Sequence, residues 1–351
     1  MDGRTGRTWM LALGLVGALI ITACGGAGTS APLASGPAAA AQAAATTAPP
    51  ATKLVVGYSE IYEGELPVWA ALEAGIFKAN GLDVDLRYTA STTGIAALLA
   101  NEIQVFQGGG SEAMSANLGD ADLVLIGNLV PVYPYVFMVQ KDINTIADLK
   151  GKKVGVSNPG STSDIATRAG LTRLGLIPDK DVTIVAVGSS QNRTAALQAG
   201  SIQGGLDQPP FSYDLEKLGL HTLFSMAEQK LPIVNNGIVI KRSYLVANKA
   251  VVQRYVDSIV QAIAKVKKDK AFAVGVYKKY LKIDDEIALG RTWEYATTQL
   301  FPALPYAKLD QFNDIIPELA KRNDKAKTYD VSKMLDESFV KSAADRGLDK
   351  Q

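Results

Sequence analysis

The sequence predicts an α/β protein built on parallel β-sheets. Short apolar segments, typical of buried strands, alternate with segments of about 10–15 residues whose apolar positions have helical spacing. The alternation occurs twice, over residues 53–126 and again over residues 135–240. This order favours two α/β units, because parallel strands need long crossover connections, usually helices. From Lys249 onward the chain is predicted to be helical.

The first unit begins with residues 53–58, which are short, apolar and closed by glycine, as buried strands are. A helix over residues 68–80 follows, in which Trp69 and Leu72 belong to an apolar stripe with helical spacing. The remaining predicted elements of this unit are a strand over 82–89, a helix over 93–101, a strand over 103–106, a helix over 112–118 and a strand over 123–126.

The second unit begins with a predicted strand over residues 135–140. It continues with a strand ending at 156, a helix over 164–174, a strand over 182–187, a helix over 193–199, a short strand over 204–206 and a late strand over 236–240. Helices are then predicted over 251–267, 271–280 and 284–299, with shorter ones to the end.

The N-terminus has the pattern of an export signal. Arg4 and Arg7 precede a mostly apolar run over residues 9–23, which ends in small residues before Cys24, the only cysteine of the chain. The segment Ile-Thr-Ala-Cys at 21–24 resembles the bacterial lipobox, so residues 1–23 are predicted to be a signal peptide and Cys24 to be lipidated. The alternatives are an uncleaved anchor or an ordinary signal peptide with a chance cysteine. The run is short for a membrane span, which needs about 20 residues.

Residues 24–52 are predicted to be a disordered linker. From Gly25 they are almost wholly Ala, Gly, Ser, Thr and Pro, which cannot bury enough apolar surface to offset the entropy of ordering. A flexible chain of this length spans roughly 30 Å. The pattern therefore predicts an extracytoplasmic domain held at a cell membrane, in the periplasm or at the outer cell surface.

Composition argues against several classes of protein. The chain has 36 basic and 35 acidic residues and no basic block, which argues against nucleic-acid binding. One histidine, His221, and one cysteine leave no metal cluster of the usual kind and few nucleophile–base pairs. The glycine-rich segments match neither the P-loop nor the dinucleotide fingerprint. We therefore predict no catalytic residues, no metal and no cofactor, hence no enzyme.

Three segments resemble the solute-binding proteins of ABC importers, in the nitrate, sulfonate, taurine and thiamine-precursor subgroup. They are ADLKGKKVGV at 147–156, GIFKANGLDV at 75–84 and AALQAGSI at 195–202. Gln203 stands where the subgroup usually has an acid. The resemblance runs from about residue 53 to residue 241 and is weak for the identity of the ligand.

The resemblance implies a two-lobed fold of the type II periplasmic-binding-protein kind, with a ligand cleft between lobes that close like a hinge. The first lobe is expected over 53–137 and 241–351 and the second over 138–240, with crossings near 137–140 and 232–240. The implied function is capture of a small organic anion or heteroaromatic solute by a monomer that delivers it to a membrane permease.

Ligands of open α/β sheets lie beyond the carboxyl ends of the strands, so the loops after the predicted strands supply the candidate contacts. Carboxylates after the first strand suit a cationic or hydroxyl-bearing solute, glycines allow close backbone approach, and a Ser/Thr-rich helix start favours an anion. The candidates are Ser59, Glu60, Tyr62, Gly109, Gly110, Ser111, Ser157, Gly160, Ser161, Thr162, Gln191 and Gln208.

Other interpretations of these loops and of the whole chain stay open at this point. The carboxylates can belong to a solvated loop edge, the glycines to a tight turn, and Asp164 can simply cap a helix. Arg193 is a weaker candidate partner for a carboxylate or sulfonate, the alternative being a solvated surface residue. For the whole chain the alternatives are an enzyme on the same fold, such as chorismate-dehydrating or pyrimidine-synthesising relatives, and a receptor for a membrane kinase.

Overall fold

The computed structural model describes residues 51–351, so the predicted signal peptide, Cys24 and nearly all of the linker lie outside the described residues. Ten strands occur in the described part. They are β1 (Thr52–Tyr58), β2 (Leu82–Tyr88), β3 (Val105–Gly108), β4 (Leu123–Asn128), β5 (Val136–Val139), β6 (Lys153–Val156), β7 (Thr183–Ala186), β8 (Gly204–Asp207), β9 (His221–Ser225) and β10 (Gly237–Lys241).

The α-helices of the described part are joined by loops and short 3-10 helices. They are α1 (Leu66–Glu73), α2 (Ile76–Ala79), α3 (Ser91–Leu99), α4 (Gly110–Asn117), α5 (Thr162–Arg173), α6 (Ser190–Gln198), α7 (Phe211–Lys217), α8 (Arg242–Ala247), α9 (Lys249–Lys268), α10 (Lys270–Leu281), α11 (Glu286–Tyr295), α12 (Ile315–Ala320) and α13 (Ser338–Asp345). Helix α11 is continued by a π-helical turn over Ala296–Leu300. The predicted helix over 68–80 is divided at Gly75, whose positive φ of 67° is incompatible with a continuous helix. None of the described helices is both long and apolar enough to cross a bilayer.

The strands form two five-stranded sheets, in the orders β2-β1-β3-β10-β4 and β7-β6-β8-β5-β9. The α/β prediction is confirmed, but the sheets are mixed rather than wholly parallel. In the first sheet β10 runs antiparallel to β3 and β4, and in the second β5 runs antiparallel to β8 and β9. Both reversed strands come directly after the chain has crossed from the other sheet.

The crossings lie earlier than the sequence analysis expects. The chain leaves the first sheet after Asn128 and enters the second at Val136, and it returns between Ser225 and Gly237. The expected crossing at 137–140 falls largely within β5, because these apolar residues pair on both sides with β8 and β9. Likewise β10, expected in the second lobe, completes the first sheet. We call the first sheet with α1–α4 and α8–α13 the first lobe, and the second sheet with α5–α7 the second lobe.

Two large apolar clusters position the lobes. One lies between the first sheet and its outer helices, where Val56 and Trp69 pack with Val256 of α9. The other begins on the opposite side of the first sheet and continues through the crossing segments into the second sheet, from Phe106 to Leu206. The loops at the inner ends of the strands therefore stand on continuous packing, which fixes them relative to one another.

Candidate ligand-binding cleft

A small cavity lies between the lobes, where loops after β1, β3 and β6 meet. Its volume is about 20 Å³, room for about one water molecule, so a larger solute requires the lobes to part. It is lined by Ser59, Glu60, Ser91, Gly109, Glu112, Tyr135, Ser157, Ser161, Thr162, Ser163 and Asn235. Six of the predicted contacts are thus brought together: Ser59, Glu60, Gly109, Ser157, Ser161 and Thr162.

Glu60 supplies a free acceptor in this cavity. Burial raises the pKa of its carboxyl to about 7, although the Arg193 guanidinium acts in the opposite direction and Glu112 and Asp207 act in the same one. No group of the described residues donates a hydrogen bond to it. Near neutral pH the carboxyl can therefore either accept a hydrogen bond from a solute or hold a proton itself.

Glu112 reaches from the first lobe to the second. Its carboxylate accepts hydrogen bonds from the backbone N–H of Thr162 at 3.3 Å, from Thr162 Oγ1 at 3.1 Å and from the neighbouring Ser111 Oγ at 2.6 Å. Thr162 is the first residue of α5, and free N–H groups at a helix N-terminus attract anions. A carboxylate of the protein thus occupies the position that the sequence analysis expects for a solute anion.

Gly109 makes this contact between lobes sterically allowed. A Cβ on Gly109 would lie 2.1 Å from Thr162 Oγ1 and 2.2 Å from Glu112 Oε2, far inside van der Waals distance. Glycine at position 109 therefore permits a close approach, as predicted, but the approaching group is the Thr162 side chain of the second lobe. Gly110 is placed differently, since its N–H donates to the Val234 carbonyl at 2.9 Å.

The loop before α5 is held by its own side chains. Ser161 is the N-cap of α5 and accepts from the Asp164 N–H at 3.4 Å, while Ser163 Oγ accepts from the Ser157 N–H at 2.9 Å. Asp164 binds the Gly160 N–H at 2.7 Å rather than capping the helix itself. These bonds fix the hydroxyl groups that line the cavity.

Asp164 also ties the lobes together. It accepts from Arg168 Nε at 2.7 Å and from Arg322 Nη2 at 2.8 Å, and the latter follows α12 of the first lobe. Gly160 lies beside Arg322 and lines a separate cavity of about 350 Å³ rather than the small central one.

Tyr62 lies beneath the cavity and not in it. Its side chain is buried, and its hydroxyl accepts from Asn235 Nδ2 at 3.0 Å. Asn235 Oδ1 in turn accepts from the Tyr135 hydroxyl at 2.9 Å. Burial raises the pKa of both tyrosines well above the usual value, so both hydroxyls stay protonated. Tyr62 is therefore placed to position the cavity wall.

Gln191 and Gln208 line a third cavity, of about 210 Å³, between α6, α7 and the loop after β1. Ile61 and Phe211 provide apolar surface there. Asp207 lies at the same cavity with both oxygens in use, one accepting from the Gln208 N–H at 2.8 Å and the other from the Thr194 hydroxyl at 2.7 Å. This cavity and the small central one are adjacent along the loop after β1, since Glu60 lines the central cavity and Ile61 lines this one.

Arg193 is a buried residue and not a solvated one. Its Nε donates to the Leu206 carbonyl and its Nη1 to Ser157 Oγ at 3.2 Å, which links β8 to the loop after β6. Burial raises the pKa of Asp207, and the positive charge of Arg193 opposes part of that rise.

Sequence reasoning missed Glu112, Ser91 and Asn235 as cavity residues, and it placed Ser163 in the Ser/Thr-rich helix start without singling it out. Glu112 stands in the first turn of α4, where an acidic residue is ordinary, so its position alone carried no signal. The loop sequence Gly-Gly-Gly-Ser-Glu at 108–112 was the available hint, since glycines allow a close approach by a neighbouring element. For Tyr135 the sequence favours lining of the cleft and packing at a strand start equally, and the structure places it at the cavity.

The loop after β1 also contains two carboxyl groups with an unusual environment. Glu63 and Glu65 are fully buried, and neither carboxyl has a hydrogen-bond partner among the described residues. Burial raises the pKa of both well above the usual range, which favours the protonated form of each carboxyl. They do not line the central cavity. No group of three or more His, Cys, Asp or Glu residues in the described part is arranged to hold a metal ion.

The comparisons with known proteins agree with the fold. The chain is 32% identical over 132 residues to a binding protein of Brucella abortus, an alignment that covers 37% of this chain and 40% of that relative's length. It is 23% identical over 275 residues to the riboflavin-binding protein RibY of Chloroflexus aurantiacus, with 73% of each chain covered. The periplasmic aliphatic sulphonate binding protein SsuA of Escherichia coli has the same fold, with a TM-score of 0.66 at 19% identity over 80% of this chain and 91% of that one.

A match to a protein-family model identifies the family. Residues 65–271 match the model of the family described as NMT1/THI5 like, which is more than half of the chain. The family resemblance predicted from the sequence and the two-lobed fold it implies are confirmed. The chain belongs to the NMT1/THI5-like family.

Proposed function

We propose that the chain is an extracytoplasmic solute-binding protein of an ABC importer. One observation carries the proposal: loops from both lobes converge on a cavity between them, where the Glu60 carboxyl is left without a partner. A solute enters when the lobes part, the lobes close on it, and the closed form presents it to a membrane permease. Binding, and no chemical change of the solute, is the activity.

The proposed location and partners follow from the N-terminus and from the relatives. The export pattern and Cys24 support a lipid-anchored protein at the membrane, with residues 24–52 as the tether. The Escherichia coli protein of the same fold is named as periplasmic, which supports an extracytoplasmic location. We propose a monomer whose partners are a small solute, the permease and the membrane, with no nucleic acid.

For the solute, the two classes left by the sequence are a small organic anion and a heteroaromatic compound. The relatives include one named for aliphatic sulphonates and one named for riboflavin, so their names do not decide between the classes. The cleft supports a heteroaromatic compound that carries hydrogen-bond donors, because Glu60 offers an unpaired acceptor. The neighbouring cavity of about 210 Å³ exceeds the roughly 150 Å³ in which benzene binds, and so has room for a substituted ring.

Capture of a native solute tests the proposal. The full chain, purified with its lipid anchor in detergent, is incubated with a small-molecule extract of its source cells, washed and denatured, and the released compounds are identified by mass spectrometry. We expect one compound or one chemical class to be enriched, and its addition to reduce the radius of gyration measured by X-ray scattering. Glu60→Gln should lose the enrichment, whereas Glu102→Gln, an exposed carboxyl outside the cleft, should keep it.

Two results would contradict the proposal. Enrichment of nothing over a denatured control would argue against a solute receptor. Chemical conversion of the captured compound would argue instead for an enzyme on the same fold.

A further inference from the structure

We propose that Glu112 is an internal anion that sets the charge selectivity of the cleft. Its carboxylate excludes anionic solutes, and when the lobes part it becomes an acceptor for a donor group of the solute. The solute class that follows is a cationic or neutral, donor-bearing compound. This inference rests on the proposed function, but its central test does not require the native solute.

The first step is that Glu112 is seated where an anion would sit. Its carboxylate accepts hydrogen bonds from the backbone N–H and from the hydroxyl of Thr162. Thr162 is the first residue of α5, a helix of 12 residues. A third bond, from Ser111, holds the carboxylate toward the second lobe. Glu112 is only 9% exposed, so this contact lies largely in the interior of the protein.

The second step is that the neighbouring residues leave room for this carboxylate and for Thr162 only because position 109 is glycine. Any side chain at position 109 would lie about 2 Å from both Glu112 Oε2 and Thr162 Oγ1. Ser111 Oγ and Thr162 Oγ1 are 3.1 Å apart, which closes the group on its remaining side. Glycine, serine, glutamate and threonine thus form one packed contact between the lobes.

The third step concerns the charges that a solute meets. Glu60 and Glu112 both line the cavity, whereas Arg193, the buried cation that acts on Glu60, is held by bonds from its Nε to Leu206 and from its Nη1 to Ser157 and is not among the lining residues. A solute anion would have to displace the Glu112 carboxylate and then lie beside it, where like charges repel strongly at reduced dielectric. A donor-bearing solute meets two acceptors instead.

The test uses three probes with the same ring and different charge: benzamidinium, benzamide and benzoate. Binding to the full chain in detergent is measured by calorimetry and by ligand-observed NMR. We expect the wild type to prefer benzamidinium over benzoate by at least about tenfold. Glu112→Gln should reduce this ratio by about tenfold or more through a gain in benzoate binding, because it removes the negative charge that repels an anion beside Thr162. Glu112→Asp keeps the charge and should keep the exclusion.

The controls separate the local effect from overall charge. Glu60→Gln removes one charge from the same cavity and should weaken benzamidinium without a gain in benzoate, because Glu112 still occupies Thr162. Glu102→Gln removes a charge at an exposed site and should change neither affinity. Thermal unfolding of each variant checks the fold, and Glu112→Ala replaces Glu112→Gln if the latter fails to fold.

The results that would refute the role of Glu112 differ from those that would refute the proposed solute-binding function. The inference is overturned if removal of the Glu112 charge gives no gain in binding of benzoate or of a smaller anion, methanesulfonate. It is also overturned if the wild type binds benzoate with the same affinity as benzamidinium. Enrichment of a native solute together with either result would leave the receptor function intact and refute only the role of Glu112.

Discussion

The hydroxyl of Tyr135 donates to Asn235 Oδ1 at 2.9 Å, and this bond joins the two segments by which the chain crosses between the lobes. Asn235 donates onward to Tyr62, in the loop that follows β1. Any relative movement of the lobes must bend both crossing segments, and they are coupled at this point to a loop of the cleft. The two crossing segments and the loop after β1 therefore share one buried hydrogen-bond chain.

Replacement of Tyr135 by Phe should weaken this coupling. The variant leaves the buried Asn235 Oδ1 without its donor, which should lower the free energy of unfolding by about 1–2 kcal/mol. Urea unfolding followed by fluorescence measures the difference. Tyr88→Phe is the matched control, since Tyr88 is 44% exposed, and it should change stability by less than about 0.5 kcal/mol. Equal effects of the two substitutions would contradict a special role for Tyr135.

Replacement of Asp164 by Asn should be strongly destabilising. The Asp164 side chain is 1% exposed and is paired with Arg168 and Arg322, so the substitution leaves two guanidinium groups without this partner. We expect a loss of about 3 kcal/mol in the free energy of unfolding. Asp179→Asn removes an exposed partner of the same Arg168 and should cost less than about 1 kcal/mol. The prediction fails if the two variants have the same urea midpoint.

Glu60 should make stability depend on pH in the acid range. The native pKa of about 7 is above the ordinary value of 4.5, so between these values the native state holds a proton that the unfolded state has released. The free energy of unfolding should therefore fall as pH rises through this window, by up to about 3 kcal/mol from this group. Glu60→Gln should become more stable relative to the wild type over the same window. A difference that is constant with pH would show that Glu60 has an ordinary pKa.

Glu63 and Glu65 should respond to substitution in the opposite way to most buried charged residues. Both carboxyls lack partners and have pKa values raised well above the usual range by burial, so the native state holds both protons while the unfolded state releases them as pH rises. Glutamine resembles the protonated form and cannot ionise. Glu65→Gln should therefore be within about 1 kcal/mol of the wild type at mildly acidic pH and more stable at mildly alkaline pH. Lower stability of this variant at alkaline pH would contradict the assignment.

The strand-ending loops of the cleft were predictable because they depend on local patterns. Apolar strands closed by Gly, Ser and Asn mark the sheet ends, and six of the candidate residues, among them Glu60 and Thr162, line one cavity. The partner of Thr162 was not predictable, because Glu112 is 50 residues away along the chain and belongs to the other lobe. Contacts between lobes depend on the packing of whole sheets, which a local pattern does not encode.

Sheet membership was mistaken for the same reason. The apolar residues of β10 favour a strand, but nothing in them distinguishes pairing with β8 from pairing with β3 and β4. The difference comes from the crossing before it, residues 226–236, whose backbone pairs with the outgoing crossing: the Ile233 N–H donates to the Pro131 carbonyl at 3.0 Å. Arg193 was similarly misjudged, because a guanidinium in the first turn of a helix is usually solvated whereas this one is covered by the β8 backbone.

The insertion of β10 between β3 and β4 imposes an order on biosynthesis. The first sheet lacks an interior strand until residue 241 has been synthesised, by which time every strand of the second sheet is already available. The second lobe, whose strands lie within residues 136–225, can thus fold while the first lobe still exposes the edges of β3 and β4 that β10 later covers. Until β10 is in place, those edges are open to wrong partners, and a pause in synthesis before β10 would prolong that hazard.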